Sequence, residues 1–172
     1  AIAAALPSSK LTLIHLRSNE IGDEGAKALA AALPSSNVTW VILNNNQIGD
    51  EGAKALAAAL PSSKVIYIEL DNNQIGDEGA KAIAAALPSS KVTAIFLDQT
   101  TAIAVEATLE LLIFCDRTWR MDPEAIRQEI EGSRQQFLMV VHLYGHPCDM
   151  VAIMAIASEY NLIVINIKYI AS

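Results

Sequence analysis

The sequence predicts an α/β protein in which a repeated strand–helix array runs on into a three-layer α/β half, with about seven parallel strands in one sheet. Three observations carry this expectation. The first hundred or so residues repeat themselves every 27 positions, and a fixed period in this range marks a stacked array. The remainder alternates strand-like apolar runs with helix-like runs, as a parallel sheet covered on both faces does. No Gly/Ser/Pro linker separates the two parts, so they are expected to share one continuous sheet.

The array is read element by element. IGDEGAKA begins at Ile21, Ile48 and Ile75, and LPSS at Leu6, Leu33, Leu60 and Leu87. Ahead of each IGDEG stands a strand-like pattern: Leu11, Ile14, Leu16 and Asn19, then Val38, Val41, Leu43 and Asn46, then Val65, Ile68, Leu70 and Asn73. The apolar members are expected to point into the core. The asparagine is expected to bond backbone groups left open where the chain bends out of the strand, stacking into a ladder. Gly22-Asp23-Glu24 opens the helical half, with its acids at the positive end of the helix dipole. Ala26 to Leu33 continues it with strong helix formers, and Pro34 with Ser35 ends it. This pattern resembles the leucine-rich repeat of the ribonuclease-inhibitor type over roughly residues 1–99. The resemblance implies a solenoid with strands on its concave side and helices on its convex side.

Even surface positions such as Lys27, Lys54 and Lys81 are copied from repeat to repeat. Natural repeats drift outside their core positions, so the near-identity reads as consensus design, with a recently duplicated natural array as the alternative. The chain starts within a repeat, at AIAAALPSS, without a polar capping module. Because an open solenoid end exposes core, either further residues or another contact is expected to block it.

The fourth strand follows the pattern at Val92, Ile95 and Leu97, but Thr100 stands where the ladder asparagine is expected, and IGDEG is absent. The expected division is therefore repeats over 1–99 and an α/β fragment over 100–172. In the second part, strands are expected near 111–115, 137–143 and 162–167. Helices are expected over Thr101–Leu109, Pro123–Glu131 and Met150–Tyr160, the second with Asp122 as N-cap and proline at its first position. Connections between parallel strands are expected to be right-handed. The order of strands in this half stays open.

Thr118-Trp119-Arg120-Met121-Asp122-Pro123-Glu124-Ala125-Ile126, the run Val141-His142-Leu143-Tyr144-Gly145-His146-Pro147 with Asp149-Met150, and Asn161-Leu162-Ile163-Val164-Ile165 resemble the sugar aminotransferases of the DegT/DnrJ/EryC1 group. The resemblance implies a Rossmann-like or flavodoxin-like fragment of that family's large domain. It also implies pyridoxal phosphate, held in the family by an aspartate on the pyridine nitrogen. The matching positions here read Asn166, Ile167, Lys168, Tyr169 and Ile170, and an isoleucine cannot pair with a pyridinium proton. The family's Schiff-base lysine falls beyond Ser172, and its phosphate-binding segment falls where repeats stand. Lys168 reads better as a solvated terminal residue than as a substitute nucleophile. The expectation is therefore no cofactor, no catalytic residue and no enzyme, with a vestigial pyridoxal-phosphate aminotransferase fragment as an alternative.

Bulk properties narrow the partners. The net charge is −7 and no basic run exists, which argues against nucleic acid. No apolar run reaches membrane-spanning length. Cys115 and Cys148 have no metal-type spacing, and two cysteines suggest a reducing, cytoplasmic compartment. His142 and His146, even with Asp149 nearby, lack further ligands for a metal, and His15 lies on the exposed side of its strand. The positions of the repeat strands that point away from the core read Leu13 and His15, Trp40 and Ile42, Tyr67 and Glu69, Ala94 and Phe96. Trp40, Ile42, Tyr67, Glu69 and Phe96 are the candidate contact residues. A row this apolar marks contact: a partner, a homo-oligomer formed there or at the uncapped N-terminal end, or, as the favoured reading, a helix of the second half lying over it. The expected function is a designed hybrid scaffold without evolved activity, with a binding module on the concave face as the alternative.

Overall fold

The computed structural model describes residues 2–106, 112–114, 123–130, 136–142 and 149–168. Its strands are β1 (Leu13–His15), β2 (Trp40–Ile42), β3 (Tyr67–Glu69), β4 (Ala94–Leu97), β5 (Leu112–Phe114), β6 (Phe137–His142) and β7 (Ile163–Lys168). All pair in parallel in one seven-stranded sheet of order β1-β2-β3-β4-β7-β6-β5. The order left open by the sequence is therefore settled. After β4 the chain passes to the far edge at β5 and returns through β6 to place β7 against β4.

Among the described residues seven α-helices accompany the strands: α1 (Ile2–Ala5), α2 (Asp23–Ala32), α3 (Asp50–Ala59), α4 (Asp77–Ala86), α5 (Gln99–Glu106), α6 (Pro123–Ile130) and α7 (Met150–Glu159). Side-chain alternation along the strands sorts them into two layers. Val41, Ile68, Ile95, Leu97, Ile165, Ile167, Phe137 and Met139 face one way, into a core that also holds Leu29, Leu56 and Ile83 of the repeat helices and Ala102 and Val105 of α5. Ala94, Leu138, Val140 and Val164 face the other way, against Ile126 and Ile130 of α6 and Ile153, Ile156 and Ala157 of α7. The sheet thus carries helices on both faces, and the expected continuity of array and second half is present in the backbone ladder.

Local chemistry explains the copied segments. In LPSS the second serine closes a 3₁₀ turn: Ser36 Oγ donates to Leu33 O at 2.9 Å and accepts from Val38 N at 3.2 Å, and Ser63 repeats both bonds. The asparagine ladder forms as expected. Asn46 Nδ2 donates to Leu16 O and Leu43 O, both at 2.9 Å, and its Oδ1 accepts from Ile21 N at 3.0 Å. Asn73 does the same one repeat later. Ser18, Asn45 and Asn72 hold φ near +56°, +56° and +55°, which turns the chain out of each strand and keeps the repeat strands short.

The acids that open the helices do more than face a dipole. Asp23 Oδ1 accepts from Gly49 N at 2.7 Å and Gly52 N at 2.9 Å, and Asp50 Oδ1 accepts from Gly76 N and Gly79 N at 2.8 Å. Each aspartate therefore caps the helix of the following repeat. The glycine there is a steric necessity: a Cβ on Gly52 would stand 2.7 Å from Asp23 Oδ1 and 2.9 Å from Ala26 Cβ.

The junction follows from losing this chemistry. Without an IGDEG segment, β4 runs directly into α5. Asp98 serves as its N-cap, accepting Thr101 N on Oδ1 at 2.9 Å and Ala102 N on its carbonyl at 3.0 Å. Helix α5 accordingly begins at Gln99, two residues before the expected Thr101. Thr100, at the ladder position, is helical, and Thr101 Oγ1 reaches back to Ile75 O at 3.3 Å. Asp149 caps α7 as its side chain accepts from Ala152 N. The expected cap of α6, Asp122, lies outside the described residues.

Candidate functional site on the concave face

The register of the sheet arranges the outward-facing side chains in rows. Leu13, Trp40, Tyr67 and Ala94 are successive partners across β1 to β4, and His15, Ile42, Glu69 and Phe96 form the next row. The second row continues into the other half, because Phe96 pairs with Asn166 and Asn166 with Val140. The five candidate contact residues are therefore brought together on one face.

Their aromatic members touch. Trp40 stacks on Tyr67 with ring centroids 4.2 Å apart and planes 21° from parallel, and Tyr67 meets Phe96 at 5.1 Å in a tilted contact. Such offset pairs are favoured by the ring quadrupoles. The Tyr67 hydroxyl donates to Glu69 Oε1 at 2.7 Å. Burial first, then the bond to Glu69 and that carboxylate's charge, push the Tyr67 phenol well above its ordinary value. The phenol is held protonated as a donor to Glu69 near neutrality.

Coverage of the face changes along the row. Tyr67 and Phe96 pack against the cluster of α6 and α7, alongside Met150, Met154 and Tyr160. The end toward β1 is open: Trp40 keeps 42% of its surface and Leu13 46%. A helix of the second half thus lies over the β4 side of the row, and an apolar step remains beside it. Helices α6 and α7 are tied to each other by an Arg127–Glu159 ion pair at 3.4 Å.

Two buried amides were not singled out by sequence reasoning. Asn44 and Asn166 are each 1% exposed, and both amide atoms of Asn44 and Oδ1 of Asn166 lack a hydrogen-bond partner. Asn166 Nδ2 reaches only Met150 Sδ, at 3.6 Å. The available signal was a polar residue inside the otherwise apolar run Ile163-Val164-Ile165-Asn166-Ile167.

The residues present do not fit pyridoxal phosphate. At the position that the family resemblance assigns to the pyridine-binding aspartate, Ile167 is 4% exposed and packs into the main core, opposite Leu97 of β4. It offers neither charge nor acceptor. Among the described residues no group of three or more His, Cys, Asp or Glu stands together to hold a metal. His15 is exposed on β1, and His142 ends β6. Cys115, His146 and Cys148 lie outside the described residues. No described helix is long and apolar enough to cross a membrane.

Comparison with known proteins agrees with this two-part architecture. A family model described as Leucine Rich repeat matches residues 8–30, 35–57 and 62–84. One described as DegT/DnrJ/EryC1/StrS aminotransferase family matches residues 96–166. GDP-perosamine synthase of Escherichia coli O157:H7 is 42% identical over 66 residues, covering 37% of this chain and 18% of that protein. The dTDP-3-amino-3,6-dideoxy-alpha-D-galactopyranose transaminase of Aneurinibacillus thermoaerophilus is 44% identical over 66 residues, covering 38% of this chain and 18% of that protein. The chain thus spans less than a fifth of the length of these curated relatives. It unites, in one parallel sheet, leucine-rich repeats over residues 8–84 and a segment similar to the DegT/DnrJ/EryC1/StrS aminotransferases over residues 96–166.

Proposed function

We propose that this protein is a hybrid scaffold, assembled from copied repeats and an aminotransferase-like fragment, with no catalytic activity of its own. The observation that carries the reading is Ile167, buried in the core at the position where the resembled family keeps its cofactor-binding aspartate. The copying of exposed residues supports assembly by design. Lys27, Lys54 and Lys81 pair with Glu24, Glu51 and Glu78 at 2.9–3.1 Å on the convex surface, and ion pairs this exposed contribute little to stability. That is too little to hold three positions identical, whereas Asp23, Gly52 and Ser36 are copied for structural reasons. The test is incubation with pyridoxal phosphate followed by borohydride. The proposal expects no imine absorbance beyond that of scattered surface lysines, and a stoichiometric adduct on one lysine would overturn it.

A second reading is favoured by a separate observation, the open apolar step at Leu13 and Trp40 beside α7. In this reading the concave face binds a protein or ligand through Trp40, Ile42, Tyr67, Glu69 and Phe96, or joins two copies of the chain. Titration of a partner whose binding is lost in Trp40→Ala supports it. Strictly monomeric behaviour, with no partner sensitive to that substitution, counts against it.

A further inference from the structure

At the seam between the two halves the turns that lead into the strands no longer match. Inside the array the 3₁₀ turns Leu33–Ser35, Leu60–Ser62 and Leu87–Ser89 pack side by side, and Lys64 Nζ donates to Asn37 Oδ1 of the preceding coil at 2.8 Å. The strand beside β4, however, is β7, which the chain enters from the end of α7 through Asn161, held at φ +55°. Between the two kinds of turn lies a cavity of about 260 Å³, to which both halves contribute. Pro88 and the buried Val92 and Leu162 supply apolar wall, and the exposed Lys91, Gln136 and Asn161 supply polar groups.

The hydrogen bonds around the cavity decide its character. Its neighbouring carbonyls are engaged. Ser90 N and Ser90 Oγ donate to Leu87 O at 3.1 and 2.8 Å, Leu162 N to Ala157 O at 2.7 Å, Ile163 N to Gln136 O at 2.8 Å and Val164 N to Thr93 O at 2.9 Å. The hydroxyl protons are engaged as well, since Thr93 Oγ1 donates to Ile66 O at 3.1 Å. What is left over is a surplus of N–H donors: the Lys91 ammonium and the side-chain amides of Gln136 and Asn161, which make no hydrogen bond among the described residues. The position one coil before Lys91 is Lys64, so Lys91 lacks the acceptor that Asn37 gives Lys64. No carboxylate lines the cavity.

We propose that this cavity binds a small organic carboxylate with an apolar body. The carboxylate oxygens accept from the Lys91 ammonium and from the amide N–H groups of Gln136 and Asn161, and bonds to an ionised acceptor are the stronger class. The body of the ligand lies on Pro88, Val92 and Leu162. The volume falls below the range of sites for drug-sized molecules, which limits the occupant to a small one. The chain carries a net charge of −7, so the anion is selected by the local surplus of donors and not by the field of the whole protein. The site is separate from the concave face and needs no catalytic group.

The test adds benzoate to the full chain at constant ionic strength, with chloride as the balancing anion, and follows backbone amide chemical shifts. Benzoate is expected to shift the amides of Lys91, Thr93, Asn161 and Leu162 saturably. Lys91→Gln, which alters an exposed side chain without a partner, should weaken that binding about tenfold or more and leave the melting temperature unchanged. Asn161→Gly should weaken it too, because glycine accepts the positive φ of the turn while removing the amide. Lys64→Gln, one coil away, should not affect it. Shifts that do not saturate, that chloride reproduces, or that survive Lys91→Gln would overturn the proposal, as would an equal loss in Lys64→Gln. Inorganic phosphate forms the second arm. If it binds as tightly as benzoate, the apolar wall contributes nothing and the assignment to an organic carboxylate fails.

Discussion

Phe96 of β4 and Asn166 of β7 are register partners, so a strand of the array and a strand of the aminotransferase-like segment are hydrogen-bonded neighbours. Asn166 is buried there with its Oδ1 unpartnered. Desolvating an amide oxygen without replacing its hydrogen bond is unfavourable. An apolar group of similar size removes that cost. Asn166→Leu is expected to raise stability by about 1 kcal/mol, read as a higher urea midpoint at unchanged slope. A lower midpoint would mean that the amide is satisfied in solution.

The caps between coils give a second prediction. Asp50→Ala removes the acceptor for Gly76 N and Gly79 N, both at 2.8 Å. Bonds to charged acceptors are the stronger class, and the loss should be about 2 kcal/mol. Asp50→Asn, which keeps an oxygen of the same shape, should recover part of it. Chemical denaturation of the two variants provides the comparison, and equal stability of both with the parent would show the caps to be dispensable.

The aromatic row separates packing from exposure. Leu56→Ala empties a fully buried site of the array and is expected to cost about 3 kcal/mol. Trp40→Ala loses mainly the stack on Tyr67, for which about 1 kcal/mol is expected, because much of the indole already faces solvent. Thermal or urea unfolding ranks the pair. A Trp40→Ala cost equal to that of Leu56→Ala would mean that the indole is covered in solution.

Tyr67 sets a pH dependence at the alkaline end. Its folded pKa is raised above the ordinary value of 10.0, so the folded state keeps a proton that the unfolded chain releases. The corresponding stability is fully present below the ordinary value and is lost as pH rises beyond it. Phenolate absorbance should show a tyrosine ionising above the ordinary tyrosine range, a signal that Tyr67→Phe removes. Glu69→Gln, which removes the neighbouring charge, should bring that ionisation earlier. An unchanged titration would show Glu69 to be without influence on the phenol.

The architecture was legible in the sequence because its signals are periodic. The repeat spacing, the apolar positions around Ile14, Val41 and Ile68, and the ladder asparagines have local causes and appear where expected, except Leu11: expected in the core, it keeps 53% of its surface on the edge strand's side, where Val38 and Val65 are fully buried between coils. The concave row was legible for the same reason, since strand alternation alone puts Trp40, Tyr67 and Phe96 on one side. Strand order was not legible, because only long-range pairing decides that β7, rather than β5, lies beside β4. The double role of Asp23 was missed for a related reason: its partners, Gly49 and Gly52, belong to the next repeat, so the bond is invisible within one. The buried amides of Asn44 and Asn166 depend on what packs over the sheet, which no local pattern reports.

The central claim is a single ladder that crosses from array to second half, and amide hydrogen exchange followed residue by residue tests it most directly. Val164 N donates to Thr93 O at 2.9 Å, so the amides of β7 should be protected to the same degree as the Leu43 and Leu70 amides inside the array, and should open with them. Rapid exchange throughout β7 and β6 while the repeat amides stay protected would contradict the account, because it would make the two halves separate bodies.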